Sequence, residues 1–283
     1  MTLMVAELTQ PIRLDRMLRT RFPGWGRQAV GRLISAGEVQ VNGRTVHLAS
    51  WEVQNGDRVR ILQPPAEKPT GPERFDERWL LVEEAELIVV DKPAGLLAEP
   101  TRWGTGVNLR DLAMARFGPL ILFHRLDRDT SGVTLLTRSG PINRYLDTAF
   151  KAHTVQKEYV AVVRSPNGLG VSGTIATRLA PDPGRRDRMV VVASGGEHAV
   201  TQYAVVEERA GRQLVRLWPQ TGRTHQLRVH LAHLDAPIVG DRLYGSASDL
   251  VGRLLLHAHR LTLPEASSYP ARSFTAPVPT EFW

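Results

Sequence analysis

The run His124-Arg125-Leu126-Asp127-Arg128-Asp129-Thr130-Ser131-Gly132 sets a carboxylate among cations and turn-forming residues. It follows the apolar approach Leu120-Ile121-Leu122-Phe123, and the apolar run Val133-Thr134-Leu135-Leu136 resumes behind it. That pattern predicts a tight loop between two buried segments, with Gly132 free to take a backbone angle that other residues avoid. Cations beside Asp127, first of all Arg125 and Arg128, favour its ionised form. Held so, a carboxylate can attack an electrophile or stabilise positive charge. An ion-paired surface turn uses the same residue types, so the loop alone leaves both readings open.

A second constellation is Thr221-Gly222-Arg223-Thr224-His225-Gln226-Leu227-Arg228-Val229-His230-Leu231, dense in cations and hydrogen-bonding groups. These call for a phosphate or carboxylate nearby, and Arg223, His225 and Gln226 are candidate substrate contacts, as is Thr130 in the Asp127 loop. If residues 224–233 are helical, Leu227 and Leu231 form an inward stripe beside Arg228, a buried cation that then requires a partner. Lys157 and Tyr159 are two residues apart in a strand-like run and share one face. Asp91-Lys92-Pro93-Ala94-Gly95-Leu96 ends a strand in a turn, a weak signal alone. The late histidines 225, 230, 233, 257 and 259 lack metal-ligand spacing, so no metal site is expected. Ser131 lacks a hydrolase setting, and neither a P-loop nor a dinucleotide fingerprint occurs, so no nucleotide cofactor is expected.

The elements that must hold these groups are mostly strands. Leu87–Val90, Tyr159–Val163, Met189–Val192 and Gln213–Leu217 are short and rich in β-branched residues, whereas 107–117 and 141–150 carry the better helical patterns. Strands without regular strand-helix alternation predict an α+β fold: a mixed, mainly antiparallel sheet with helices and loops around a central cleft. The chain has 283 residues, 42% of them hydrophobic, enough for a large domain and a small one. It holds no cysteine, which excludes disulfides and thiolate chemistry. No stretch approaches the roughly 20 apolar residues of a membrane span, and no leader pattern opens the chain, so a cytoplasmic protein without membrane contact is expected. A net charge of +7 points to polyanionic partners.

Residues 11–62 form a candidate front module. Leu14, Met17, Leu18 and Phe22 recur at helical spacing with Arg13, Arg16 and Arg19 largely off the stripe. Arg27 to Ser35 repeats the arrangement, with Val30, Leu33 and Ile34 inward, Arg27 and Arg32 outward, and Gly37 as the stop. Asn42-Gly43 is a hairpin signal, and Val53, Val59 and Ile61 continue a small sheet. The two basic helices and the phrase Gly37-Glu38-Val39-Gln40-Val41-Asn42-Gly43 resemble the S-four-type RNA-binding module. That likeness implies that Arg13, Arg16, Arg27 and Arg32 face RNA phosphates, which orient binding without reading sequence. Residues 63–78, with four prolines, read as a semi-rigid linker, leaving 79–283 for the main domain.

Taken together, Asp91–Leu96, His124–Gly132, Lys157–Tyr159, Thr221–His230 and Leu254-Leu255-Leu256-His257-Ala258 resemble the RluA family of pseudouridine synthases, in the right order over about residues 80 to 277. The resemblance implies isomerisation of uridines in structured RNA without metal or cofactor, ribosomal RNA being favoured over transfer RNA, by a monomer. It implies Asp127 as the catalytic aspartate, Tyr159 as the ring stacked on the base, and Arg228 as the partner of Asp127. Arg125 then displaces or replaces the flipped base, Leu256 packs on the uracil, and Lys157 is a further substrate contact. One departure stands out: Glu99 in Leu97-Ala98-Glu99-Pro100 puts a negative charge where many members continue with Val-His-Pro. Two other readings compete, a non-catalytic RNA-binding or RNA-folding factor and a small-molecule nucleosidase. The combined presence of Asp127, Tyr159 and Arg228 speaks against the first, and the basic front module against the second.

Overall fold

Two amphipathic helices and a small sheet share the first core, because their apolar residues recur at 3.6 and 2.0 residues and meet face to face. The structure is a computed structural model that describes residues 2–283 except 7, 9, 23–24, 63–70, 101–106, 139, 166, 186 and 246–250. It divides into two compact units, Met1–Gly71 with Pro100–Gly106, and Pro72–Glu99 with Val107–Trp283.

In the first unit, β1 (Thr2–Met4), β2 (Ile12–Arg13), α1 (Leu14–Arg21), α2 (Arg27–Ser35), β3 (Val39–Val41), β4 (Arg44–Thr45), β5 (Glu52–Val53) and β6 (Arg58–Ile61) follow in order. Leu14 and Leu18 of α1 and Val30 and Ile34 of α2 are buried with Val39, Val53, Val59 and Ile61. Asn42 and Gly43 both adopt positive φ, as the tight hairpin turn between β3 and β4 demands. Arg13, Arg16, Arg27 and Arg32 are exposed, although Arg13 Nε also donates to Asp15 at 2.9 Å.

The second unit begins earlier than the sequence pattern suggests. Residues 72–78, expected in the linker, belong to it, since Phe75 is buried against Trp79 and Phe117. The remainder of that linker, residues 63–70, lies outside the described residues. The elements are β7 (Leu80–Glu83), β8 (Leu87–Lys92), α3 (Leu109–Phe117), β9 (Ile121–Leu122), β10 (Ser131–Thr137), α4 (Pro141–Lys151) and β11 (Gln156–Arg164). They continue with β12 (Ser172–Pro181), β13 (Met189–Val192), β14 (Glu197–Arg209), β15 (Arg212–Pro219), α5 (Gln226–His233), β16 (Leu256–Leu263) and β17 (Arg272–Thr275).

The large sheet runs β13-β12-β14-β15-β11-β16-β10-β8-β7, with β17 on β16 and β9 on β10. Among the described residues every pairing between these strands is antiparallel except β10 with β16, where Ser131 and Gly132 lie beside His257 and Ala258. The continuous apolar run of β8 is covered on both faces, Leu87 and Val89 packing with Ile142 and Leu146 of α4, and Ile88 and Val90 with Leu109 and Leu112 of α3. Leu227 and Leu231 of α5 pack with Val160, Val162, Val215 and Leu217 of β11 and β15. Helix α5 thus lies on one half of the sheet, and the Asp127 loop enters it through the parallel pair.

Candidate active site

Gly132 lets the Asp127 loop reach the sheet. Its φ is +120°, and a Cβ there would come within 2.3 Å of the Ala258 carbonyl oxygen, so only glycine permits this approach of β10 to β16. Just upstream, the loop closes on itself where Thr130 N–H donates to the Asp127 carbonyl at 3.2 Å. Thr130 is buried, and its Oγ1 has no partner among the described residues. In this structure Thr130 closes the loop through its backbone N–H.

Lys92, fully buried at the end of β8, holds the loop from the other side. Its Nζ donates to the carbonyls of Pro93 (3.0 Å), Leu96 (2.7 Å) and Arg128 (3.0 Å), tying the turn after β8 to the residue next to Asp127. Burial drives the Lys92 ammonium down to about 7, with the charges of Asp129 and Asp127 opposing the fall.

The adjacent arginines turn away from Asp127. Arg125 Nη1 donates to Glu99 Oε1 at 3.1 Å, and Arg128 Nε donates to Asp129 Oδ1 at 2.9 Å. What faces Asp127 comes from α5 and the turn before it. Arg228 Nη1 lies 3.6 Å from Asp127 Oδ2, and His225 Nε2 lies 3.9 Å from the same oxygen. Arg228 is shared between Asp127 and a second carboxylate, Asp241. Arg228 makes its two short bonds to Asp241, from Nε to Oδ2 and from Nη2 to Oδ1, both 2.7 Å, and presents only its third nitrogen to Asp127. Burial opposes the Arg228 charge, but Asp241 and then Asp127 more than offset that, so the guanidinium is held above its ordinary value. Asp241 is itself fixed by the Leu243 and Tyr244 backbone N–H groups, at 2.9 and 3.1 Å.

Helix α5 starts at Gln226, two residues later than the pattern suggests, because His225 takes a left-handed φ of 54°. Such backbone costs of order 1 kcal/mol or more and persists where neighbours fix it. Here Tyr244 does so. Its Oη accepts from Met189 N–H at 2.8 Å and is hydrogen-bonded to His225 Nδ1 at 2.9 Å, which turns Nε2 to Asp127. Burial lowers the His225 imidazole below its usual value, with Arg228 adding to the fall and Asp127 opposing it.

Gln226 requires a further correction. It is buried, Oε1 accepting from Thr221 Oγ1 (2.7 Å) and Arg223 N–H (3.0 Å), while Nε2 donates to Val200 O (2.9 Å) and Thr201 Oγ1 (3.0 Å). All four capacities of the amide are used within the fold, so Gln226 pins the loop to β14 rather than meeting substrate. Arg223 donates to Glu197 at 2.6 Å and to the His198 carbonyl at 3.1 Å, both at the start of β14.

Tyr159 packs partly buried against the core that contains Leu256. Burial and then the charge of Asp127 push its phenol far above the ordinary tyrosine value, so it stays protonated. The Lys157 ammonium sits 5.2 Å from the Phe150 ring centroid, and the facing strand β16 carries an extra residue opposite Glu158 and Tyr159. Among the described residues no three His, Asp or Glu side chains are placed to hold a metal ion. Residues His230 and His257 are buried and hydrogen-bonded, His230 between Thr177 and Thr201.

Residues 86–233 match the family described as RNA pseudouridylate synthase, and residues 12–59 match the S4 domain. The chain belongs to the RNA pseudouridylate synthase family. This pseudouridine synthase is 33% identical to an uncharacterized RNA pseudouridine synthase of Synechocystis, over 98% of this chain and 89% of that one. It is 31% identical to the ribosomal large subunit pseudouridine synthase D of Neisseria meningitidis serogroup A, over 96% of this chain and 77% of the relative. Among solved structures it resembles human RNA pseudouridylate synthase domain containing 1, with a TM-score of 0.62 and 27% identity over 73% of this chain and 86% of the other.

Three residues of the pseudouridine synthase site escape the sequence reading: Lys92, Asp241 and Tyr244. The need for a carboxylate beside Arg228 was the available signal for Asp241, thirteen positions on in Gly240-Asp241-Arg242. Lys92 stood inside a turn segment already singled out. Nothing in the pattern marks Tyr244.

Proposed function

We propose that this enzyme converts uridines of structured RNA to pseudouridine through Asp127, acting on a uridine turned out of its stack, and that its target is large-subunit ribosomal RNA rather than transfer RNA. The observation that carries the reading is the Asp127 carboxylate, one-third exposed, with one oxygen facing Arg228 and His225 and with Lys92 holding its loop. The name of the Neisseria relative supports the ribosomal target.

In this reaction the bond from uracil nitrogen 1 to the ribose anomeric carbon breaks, and a bond from carbon 5 to that carbon forms. A proton leaves carbon 5 and nitrogen 1 gains one, so the product is an isomer. A carboxylate beside the anomeric carbon supports either direct attack on the sugar or stabilisation of an electron-poor sugar during elimination. Arg228, held back by Asp241, faces the carboxylate and aims it without closing on it. In the resting site Tyr159 is a stacking surface and no base. Arg125, whose side chain is 72% exposed, is placed to enter the vacancy left by the base after leaving Glu99, offsetting part of an unstacking cost of a few kcal/mol.

The test maps pseudouridine in total RNA from cells with and without the gene, complemented by wild type or Asp127→Asn. Loss of large-subunit ribosomal sites that wild type restores and Asp127→Asn does not is the expected result. Restoration by Asp127→Asn would refute the role of Asp127, and loss confined to transfer RNA would refute the target.

A further inference from the structure

Behind the Asp127 loop lies a second set of polar groups that the chemistry above does not use. Arg253, in the segment before β16, donates from Nη2 to Ser131 Oγ at 2.5 Å, and Ser131 Oγ lies 2.8 Å from His257 Nδ1. His257 Nε2 in turn faces the Ala276 carbonyl at 3.4 Å. An arginine can only donate, so Ser131 Oγ accepts from Arg253. With the His257 proton on Nε2, toward the Ala276 carbonyl, the bare Nδ1 accepts the hydroxyl proton of Ser131. Burial holds the His257 imidazole down at about 4, which keeps this neutral form.

The other contacts of Arg253 make this segment a support for both halves of the site. Its Nη1 lies 3.3 Å from Glu281 and its guanidinium 5.4 Å from the Phe282 ring, so the last turn of the chain seats it. Its backbone abuts Gly240, where a Cβ would fall 2.0 Å from the Arg253 carbonyl oxygen, and Gly240 immediately precedes Asp241, the carboxylate that holds Arg228. Ser131, at the other end, is the first residue of the strand that leaves the Asp127 loop.

We infer that Arg253 is a positioning residue that sets the distance between Asp127 and Arg228, acting on the Asp127 loop through Ser131 and resting on Glu281 and Phe282. It touches neither base nor sugar. The inference rests on the reading of Asp127 as the reacting carboxylate.

The experiment follows single turnovers by tritium released from carbon 5 of uridine, using a pool of unmodified ribosomal and transfer RNA transcripts, for wild type, Arg253→Met, Ser131→Ala, the double variant and Asp127→Asn. Misplacing reacting groups by a fraction of an ångström to an ångström slows chemistry about tenfold to a hundredfold. Arg253→Met and Ser131→Ala should each lose that much in rate constant with RNA affinity unchanged, and the double variant should be no slower than the slower single one. A merely structural loss would instead lower the amplitude, by reducing the folded fraction, and leave the rate constant alone. Wild-type speed in either variant, or losses that multiply in the double, overturns the inference. If Arg253→Met does not fold, Ser131→Ala decides alone: a slow rate constant at full affinity supports it, and an unchanged one overturns it. Activity in Asp127→Asn strikes down the reading of Asp127 itself, whereas an inert Asp127→Asn beside a fast Arg253→Met strikes down only the role of Arg253.

Discussion

Replacing Asp241 with asparagine separates holding Arg228 from neutralising Asp127. Asp241 is fully buried, and its Oδ1 accepts from Arg228 Nη2, Leu243 N–H and Tyr244 N–H, while Oδ2 accepts from Arg228 Nε. Asparagine preserves the Oδ1 contacts but sets an NH2 group against Nε, donor against donor. Arg228 then has one carboxylate left within reach, Asp127, 3.6 Å from Nη1. Closing that gap makes a charge-assisted hydrogen bond worth about 1.5–3 kcal/mol, and it stabilises the carboxylate before reaction more than after it has spent its charge. At 1.36 kcal/mol per factor of ten the single-turnover rate should fall roughly 10- to 150-fold. RNA affinity should be unchanged, because neither residue meets the phosphates. Stability should fall as well, toward the lower end of the roughly 3–5 kcal/mol that removing one partner of a buried pair costs, since Asp127 is a second carboxylate for Arg228. The assay is single-turnover tritium release beside urea denaturation. A rate constant at or above wild type in Asp241→Asn refutes the argument that Asp241 restrains Arg228.

The remaining expectations are simpler. An unfolded lysine keeps its proton to about 10.4, whereas Lys92 in the fold takes one up only near 7, so the unfolded chain binds more protons between these values. Stability therefore rises as pH is raised through that window, and Lys92→Met should flatten the rise; urea midpoints for both proteins between pH 6.5 and 9 measure it. Changing Arg16 and Arg32 together to glutamine should weaken RNA binding and flatten its salt dependence by roughly one unit of slope per arginine, leaving single-turnover rates at saturating RNA unaltered; filter binding across salt concentrations reads both. Gly132→Ala drives a Cβ into the Ala258 backbone and should shift the thermal midpoint down by several degrees or prevent soluble expression, which melting curves record.

The parts of this protein visible in its sequence are those that repeat or that break a repeat. Helices α1 and α2 follow from Leu14, Leu18, Val30 and Ile34, and the Asp127 loop from Gly132 and the apolar runs on either side. Burial of Arg228 followed from its place between Leu227 and Leu231 on α5. Periodicity reports which face is covered and says nothing about which partner waits there. Asp241 sits in an irregular turn, Lys92 looks like any strand-ending lysine until three carbonyls converge on it, and Arg125 has as its neighbour in space Glu99, 26 positions away. Gln226 shows the converse: an amide among cations suggests substrate, but its neighbours Thr221, Arg223, Val200 and Thr201 use all its capacity.

The parallel pairing of β10 with β16 has a bearing on how the enzyme comes into being. Strands that run the same way cannot be joined by a short turn, and β10 meets β16 only after residues 138–255 have been laid down and brought back. The closure entropy of so large a loop delays this contact relative to the local hairpins. Ser131 beside His257, and with them the setting of Asp127, therefore belong to the late events of folding. A nascent or partly folded chain can already present its basic helices to RNA while it is still chemically inert, and return of pseudouridine formation during refolding should trail the return of bulk secondary structure.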